Sequence, residues 1–402
     1  MTVKERIDNF VGLGFGMFVH FGLYSVVGGG EWFFNQPWAD KEAYFRDLPA
    51  RFKVKKTWAK ELVSTAKKAG CKYIVLTTRH HDGFSLYDTC GLNDFDAPHS
   101  ASGRDLVREF VDACNGAGIV PFFYHTLLDW YNPDYTTNFP KYIDYLVDSL
   151  EILCKNYGTI GGFWFDGMWN KKDADWQEDR IYGTLRKYQP DTMIINNTGL
   201  GALGKVGHPE IDSVTFERGT VTPVDDFDRP RAGEKCAVLN QHWGYAKEDC
   251  NYKSVREILE MLVECRRYSC NLLLNVGPRG NGSLRTIDRG IFEEIGNWTK
   301  DYGEFVYHAR PCDIPVEGAE LFKGKDGYHY AVLHDVSMQA DPNVQRLGKD
   351  PLAIKVGATI ESATWLDDGK EIAVTDGNSF RGVPYLYGRD KVIRIAKLKL
   401  KA

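Results

Sequence analysis

Several features that would narrow the function are missing from this sequence. No two of its nine cysteines have the C-x-x-C spacing of a structural zinc cluster. No apolar run approaches the roughly 20 residues that a membrane-spanning helix needs. The net charge of −5 provides no positive field for nucleic acid or an anionic membrane. We therefore expect no zinc cluster, no nucleic-acid partner and no membrane partner.

Signals for export and for phosphate binding are also missing. The first ten residues, MTVKERIDNF, lack the apolar core of a signal peptide, and the scattered cysteines are typical of buried free thiols. We expect a reduced, cytoplasmic protein, although a secreted protein whose leader had been removed would give the same pattern. The segment NVGPRGNG (275–282) lacks the Walker lysine and the GxGxxG spacing, so we interpret it as a tight loop.

What the sequence does contain is an alternation of strand-like and helix-like segments. Amphipathic segments stand at 57–70, 102–118, 140–155, 254–269 and 288–303. The eight predicted strands are 15–22, 72–80, 119–127, 161–167, 192–197, 213–217, 236–244 and 271–277. The pattern predicts an α/β fold, an irregular (β/α)8 barrel of the TIM type whose fifth and sixth units have no convincing helix.

The C-terminal part of the sequence has a different pattern of predicted secondary structure. From about residue 309, strand-like runs such as GYHYAVLHD and DKVIRIAKLKL alternate with Gly and Asp turns, with little helix. This pattern predicts a C-terminal β-sandwich. We therefore expect a catalytic barrel domain over 1–308 and a sandwich domain over 309–402.

Polar and aromatic residues collect at the ends of the predicted barrel strands. Chemistry in such barrels takes place at this rim, and stability alone gives no reason to place histidines and acids there. The strand-end residues are His20, His80, His81, Tyr124, His125, Asp166, Glu217, His242, Trp243 and Asn275, and the loop after the first strand adds Glu31 and Trp32. The rim is therefore the predicted active site.

Two of these acids have the pattern of a glycosidase pair. Asp166 ends the fourth strand and shares a strand face with Trp164, so it can point into the barrel mouth beside an indole wall. A glycosidase needs one ionised and one protonated carboxyl group. Glu217 is the candidate for the second, and Glu210 and Glu31 are its competitors. The alternative for Asp166 is a turn residue, because Asp-Gly commonly follows a strand.

The histidines after the second strand leave two interpretations open. His80, His81 and Asp82, with His20 nearby, allow a zinc site. Because neighbouring residues on a strand point apart, His80 and His81 would not readily bind one ion together. Neutral imidazoles suit hydrogen bonding to sugar hydroxyls better. We favour the hydrogen-bonding role, and the zinc site remains the alternative.

The chain resembles the α-L-fucosidases of glycoside hydrolase family 29. The matching segments, in order, are GFGMFVHFGLYS, GEWF, KYIVLTTRHHDGF, FWFDG, HWGY and NLLLNVGPRGNG, from residue 15 to about 282. The resemblance implies a barrel followed by a sandwich, and an exo-acting retaining enzyme that removes terminal α-L-fucose without a cofactor. Its substrate would be a fucosylated oligosaccharide or glycoconjugate.

The resemblance also implies roles for individual residues. Asp166 is similar to the family's nucleophile, and Glu217 loosely to its general acid/base. The predicted sugar-binding residues are His20, Glu31, Trp32, His80, His81, Tyr124, Trp164 and Trp243. Thr198 stands where many members have an arginine, so the usual cation is absent or comes from elsewhere, with Arg218 as a candidate.

Alternatives from other classes remain at this stage. They are an inverting barrel hydrolase acting on another sugar, a metal-dependent barrel hydrolase and a catalytically silent fucose-binding protein. The linkage preference and the role of the sandwich are open, and a homo-oligomer is compatible with the sequence.

Overall fold

The first part of the chain forms a closed barrel of eight parallel strands in the order β1 to β8. We describe a computed structural model that covers residues 1–197, 206–224, 229–334, 336, 352–385 and 387–401. The strands are β1 (Phe15–Val19), β2 (Tyr73–Arg79), β3 (Val120–Thr126), β4 (Gly162–Asp166), β5 (Met193–Asn196), β6 (Ser213–Glu217), β7 (Ala232–Val238) and β8 (Asn271–Val276). The predicted TIM-like barrel is confirmed.

Helices follow most of the strands. They are α1 (Val3–Leu13), α2 (Tyr24–Val27), α3 (Lys41–Arg51), α4 (Trp58–Lys68), α5 (Leu106–Ala117), α6 (Asp134–Thr137), α7 (Phe139–Asn156), α8 (Glu178–Tyr188), α9 (Val255–Arg267) and α10 (Thr286–His308). The helix predicted from residue 102 begins later because Asp105 caps it by accepting from the amide of Arg108. Ser102 instead donates to the carbonyl of Phe52. No helix among the described residues is long and apolar enough to cross a membrane.

An ionic cluster stands at the start of β6, where the described residues 206–212 form no helix. The buried carboxylate of Asp212 accepts from Arg6 at 2.9 Å, Arg186 at 2.7 Å and Arg229 at 3.2 Å. Burial raises its pKa, but Arg6 and Arg186 outweigh burial and hold the pKa below its usual range. These pairs tie the start of β6 to α1 and α8.

Strand β7 differs from its prediction. The predicted run, 236–244, is more apolar, but the strand begins at Ala232 opposite Ser213 and ends at Val238. Glu234 within it is fully buried. Its carboxyl group accepts from the Tyr73 hydroxyl at 2.6 Å and from the Trp164 indole at 2.8 Å. A charged residue can occupy a buried strand only with such partners, and these partners lie far away in the sequence.

The C-terminal strands form two antiparallel four-stranded sheets, in the orders β10-β11-β16-β13 and β14-β15-β12-β9. The strands are β9 (Val316–Glu317), β10 (Glu320–Lys323), β11 (Tyr328–Leu333), β12 (Leu352–Val356), β13 (Ile360–Trp365), β14 (Val374–Thr375), β15 (Ser379–Gly382) and β16 (Arg394–Leu400). Buried residues from both sheets, including Leu333, Ile354 and Phe380, share one apolar cluster. The predicted sandwich is confirmed.

The chain divides into two compact units. One contains Met1–Lys253 and Asn271–Glu293, and the other contains Ser254–Cys270 and Glu294–Ala402. The domain boundary at 308/309 stays a prediction.

Candidate active site

The carboxyl ends of the barrel strands bring the predicted rim residues together. The His20 ring, directly beyond β1, lies 5.1 Å from the ring of Trp243, 5.5 Å from that of His80 and 5.6 Å from that of Tyr124. The His80 and His81 rings are only 4.2 Å apart. Our expectation that these two would point apart was wrong, because β2 ends at Arg79 and both follow it in a turn.

Asp166 ends β4 with its side chain 17% exposed, at the floor of this cluster. Its Oδ1 accepts from the indole nitrogen of Trp169 at 3.0 Å. Its Oδ2 accepts from the Tyr124 hydroxyl at 3.3 Å and lies 3.5 Å from Nε2 of His81. Burial raises the pKa of Asp166, but His81 and Trp169 outweigh burial and leave the pKa below its usual range.

The hydrogen bonds of His81 fix the orientation of its ring. The Thr126 hydroxyl donates to the carbonyl of Leu128 at 2.5 Å, so its oxygen accepts from Nδ1 of His81 at 2.7 Å. The other ring nitrogen, Nε2, therefore faces Oδ2 of Asp166.

Glu217 ends β6 in a different environment. Its Oε2 accepts from the Asn197 side-chain amide at 2.6 Å, and the Asn197 carbonyl accepts from Thr215 at 2.9 Å, which fixes the orientation of the amide. Burial and then the charge of Asp166 raise the pKa of Glu217 to about 7, against the opposing effects of Asn197 and Arg218. Glu217 therefore holds a proton at a pH where Asp166 is ionised.

His20 and His80 are neutral. Burial lowers the pKa of His20 to about 3, although its bond to Asn275 opposes this. Because the Asn275 amide nitrogen donates to the carbonyl of Trp243, its oxygen accepts from Nδ1 of His20 at 2.7 Å. Burial also lowers the pKa of His80, whose buried Nδ1 has no hydrogen-bond partner among the described residues. Such imidazoles offer free acceptor and donor positions to a polar ligand.

Glu31 and Trp32 join the rim from the segment after α2. The buried Glu31 accepts through Oε2 from the amides of Trp243 at 3.1 Å and Gly244 at 2.8 Å, so it fixes the loop after β7. Trp32 stacks on Trp169 at 5.8 Å and meets the His81 ring edge-on at 5.7 Å.

Trp164 lies one layer below Asp166. It is 2% exposed, belongs to the apolar barrel core and stacks on Tyr124 at 5.7 Å. Its indole N–H donates to Glu234. It supports the floor of the cluster, and its predicted contact with sugar stays a prediction.

The competing acids and the candidate cation can also be placed. Glu210 pairs with Arg186 of α8 at 2.8 Å, and Glu31 is bound to main-chain amides. Arg218 follows Glu217, its guanidinium lies 5.2 Å over the Trp243 ring and it donates to the Gln241 carbonyl at 3.0 Å. Thr198 lies outside the described residues.

The candidate metal ligands are engaged in other contacts. His81 bonds to Thr126, His20 to Asn275, and Asp82 accepts from the Tyr44 hydroxyl at 2.7 Å. Across the part of the chain that the structure describes, no three His, Cys, Asp or Glu side chains are grouped as metal ligands.

Two strand-end histidines lie apart from the cluster. His125 is fully buried and its Nδ1 contacts the carbonyl of Thr126 at 2.8 Å. His242 pairs with Asp249 at 2.7 Å, and both line an open groove between the loops after β1 and β7.

Sequence reasoning missed Trp169, Asn197 and Glu234. Asn197 directly follows β5, so the strand-end rule could have found it. Trp169 stands three residues after Asp166, and only the turn at Gly167 returns it to that carboxylate. Glu234 has no signal in the sequence.

With this geometry in place, comparison with known proteins identifies the family. A family model described as "Alpha-L-fucosidase" matches residues 4–304. The chain belongs to the α-L-fucosidase family. The predicted resemblance is confirmed.

Solved structures agree with this assignment. α-L-Fucosidase isoenzyme 1 from Paenibacillus thiaminolyticus is 30% identical, with a TM-score of 0.85 and all of both chains covered. An α-L-fucosidase from Bacteroides thetaiotaomicron, solved as a trapped covalent intermediate with 2-fluoro-fucosyl fluoride, shares the fold at 24% identity and a TM-score of 0.82. There, 99% of this chain and 96% of that chain are covered.

Among curated proteins, the α-L-fucosidase of Dictyostelium discoideum is 28% identical over 346 residues, which is 75% of this chain and 71% of that protein. The chain spans about two thirds of the length of the first curated relatives that it matches.

Proposed function

We propose that this chain is an exo-acting, retaining α-L-fucosidase in which Asp166 is the nucleophile and Glu217 the general acid/base. The observation that carries the proposal is the difference between the surroundings of two carboxyl groups at one rim. His81 and Trp169 stabilise an ionised Asp166, while burial and the charge of Asp166 keep a proton on Glu217. A retaining glycosidase needs this pair.

The reaction runs in two displacements. In the first, the Asp166 carboxylate attacks the anomeric carbon, the bond from that carbon to the leaving oxygen breaks, and Glu217 gives its proton to that oxygen. In the second, the Glu217 carboxylate takes a proton from water, whose oxygen attacks the same carbon and releases Asp166. Glu217 is then protonated again for the next cycle.

The neighbouring side chains suit a sugar ring. Nδ1 of His20 donates to Asn275, so its Nε2 accepts from a sugar hydroxyl, and the neutral His80 ring lies beside the His20 ring. Trp32, Tyr124 and Trp243 supply aromatic surface for the apolar face of fucose. We assign to Arg218 the positive charge that many family members place at the position of Thr198.

The test is the Asp166→Gly variant on an aryl α-L-fucoside. We expect kcat to fall about 10,000-fold or more, because no covalent intermediate can form. Azide should partly restore turnover and give β-L-fucosyl azide. The Glu210→Gln variant is the matched control and should keep full activity, since Glu210 pairs with Arg186.

Product stereochemistry separates the alternatives. Proton NMR of the first product should show α-L-fucose. Release of β-L-fucose would indicate an inverting enzyme, and fucose binding without release would indicate a silent binding protein. Full activity of Asp166→Gly would refute the assignment of the nucleophile.

A further inference from the structure

The chain turns back on itself immediately after Asp166. Gly167 has φ +102°, and a side chain there would meet the main-chain nitrogen of Leu128 at 2.7 Å, so glycine is required. A single 3-10 turn, Met168–Lys171, follows. This turn carries Trp169 back over the carboxylate that precedes it.

As a result, the two oxygens of Asp166 are not equivalent. Oδ1 accepts one well-formed bond, from the Trp169 indole at 3.0 Å. The contacts of Oδ2, to Tyr124 at 3.3 Å and His81 at 3.5 Å, are longer and come from side chains of the proposed sugar pocket. Oδ1 therefore has the Trp169 indole as its donor, and Oδ2 is the oxygen that lies next to Tyr124 and His81.

The Trp169 ring is itself held in place. It stacks on Trp32 at 5.8 Å with an interplanar angle of 25° and meets the His81 ring edge-on at 5.9 Å. An aromatic ring packed on two sides keeps its N–H direction with little loss of conformational entropy on binding.

We propose that Trp169 is a positioning residue that holds Oδ1 of Asp166 and leaves Oδ2 to attack the anomeric carbon. This inference rests on the proposed function and goes beyond it by assigning separate tasks to the two oxygens.

The negative charge of Asp166 is lost in the first displacement and returns in the second, and the Trp169 N–H contacts the same carboxyl group throughout. When Oδ2 bonds to the anomeric carbon, the leaving oxygen departs with the proton of Glu217 and Oδ1 becomes the carbonyl oxygen of an ester. When water later displaces Oδ2, the pair of electrons of the broken bond returns to the carboxylate. The indole N–H stabilises that returning charge, so its loss should slow release of fucose more than formation of the ester.

The experiment compares Trp169→Phe with Trp176→Phe. Phenylalanine keeps a ring against Trp32 but has no N–H. Trp176 is the matched control, because it donates its indole N–H at 3.0 Å to the carbonyl of Lys171, the last residue of the same 3-10 turn, and not to Asp166. Each variant is treated with 2-fluoro-fucosyl fluoride, and the reactivation rate of the adduct is followed by intact mass and returning activity.

We expect Trp169→Phe to reactivate about 10- to 100-fold more slowly than the parent, the usual effect of losing a bond to a charged group. Its kcat and KM for an aryl fucoside should fall together, with a burst of aryl alcohol. The acid limb of the pH profile of kcat/KM should move to higher pH, because the pKa of Asp166 rises when its carboxylate loses a donor. Trp176→Phe should leave the reactivation rate and the acid limb in place.

Parental reactivation and an unmoved acid limb in Trp169→Phe would overturn the inference, as would equal changes in both variants. Failure of the proposed function looks different, because then the parent itself forms no adduct or releases β-L-fucose.

Discussion

The ends of β4 and β6 carry the same chemical group in two different states. Asp166 has His81 and two hydrogen-bond donors, Trp169 and Tyr124, around it. Glu217 has one amide donor, the cation of Arg218 and the negative charge of Asp166. Burial acts in the same direction on both carboxyl groups. The comparison shows that the number and charge of the partners, rather than burial, decide which carboxyl group is ionised.

At the end of β6, the largest effect should come from removing the proton of Glu217. The Glu217→Gln variant should lower kcat/KM for a fucosylated oligosaccharide about 100- to 10,000-fold, because an amide cannot protonate the leaving oxygen. For an aryl fucoside with an acidic leaving group the loss should be much smaller. Steady-state kinetics on both substrates measure the difference.

The pH dependence gives a second test of that variant. In the parent, activity should fall as the pH rises through about 7, because Glu217 loses its proton there. Glu217→Gln should lose this alkaline limb. If the limb survives, another group is the acid.

Glu234 sharpens the comparison, because it is a buried carboxyl group whose two hydrogen-bond donors, Tyr73 and Trp164, are uncharged. Burial raises its pKa to about 7, against the bonds from Tyr73 and Trp164. In the unfolded chain it would lose its proton near about pH 4.3. The folded state therefore binds more protons between these values, and this group makes the folded state less stable as the pH rises through that window.

The Glu234→Gln variant should remove this dependence. The free energy of unfolding of the variant minus that of the parent should rise by up to about 3 kcal/mol between pH 5 and pH 8. Urea denaturation at both pH values measures the gain. Glu248→Gln, at a residue 88% exposed, is the matched control and should show no gain. A gain of the same size in both variants would contradict the prediction.

The smallest effect should follow from removing the Asn197 amide that donates to Glu217. In Asn197→Ala the alkaline limb should move up by about one pH unit, since the amide lowers the pKa of Glu217. We expect kcat/KM to fall about 10-fold at neutral pH because the carboxyl group loses its orientation. Circular dichroism checks the fold. A limb that moves down would show that another contact dominates.

The sequence supports prediction wherever one local rule is sufficient. Asp166 and Glu217 could be found because parallel strands deliver their last residues to one rim. The start of β7 could not be predicted, because Glu234 has the composition of a surface position. Only the folded chain brings Tyr73 and Trp164 to it. His80 and His81 were misjudged because the strand ends one residue earlier than predicted. Trp169 depends on a backbone turn, which hydrophobic periodicity does not report.

The Glu31 carboxylate has a consequence for folding. It accepts from amides 212 and 213 residues further along the chain, so closing this contact carries a large loop-closure entropy. About three quarters of the residues of the barrel unit lie between the two groups that meet here. We therefore expect the hydrolysis of an aryl α-L-fucoside to return last during refolding, after the bulk of the helical circular dichroism signal.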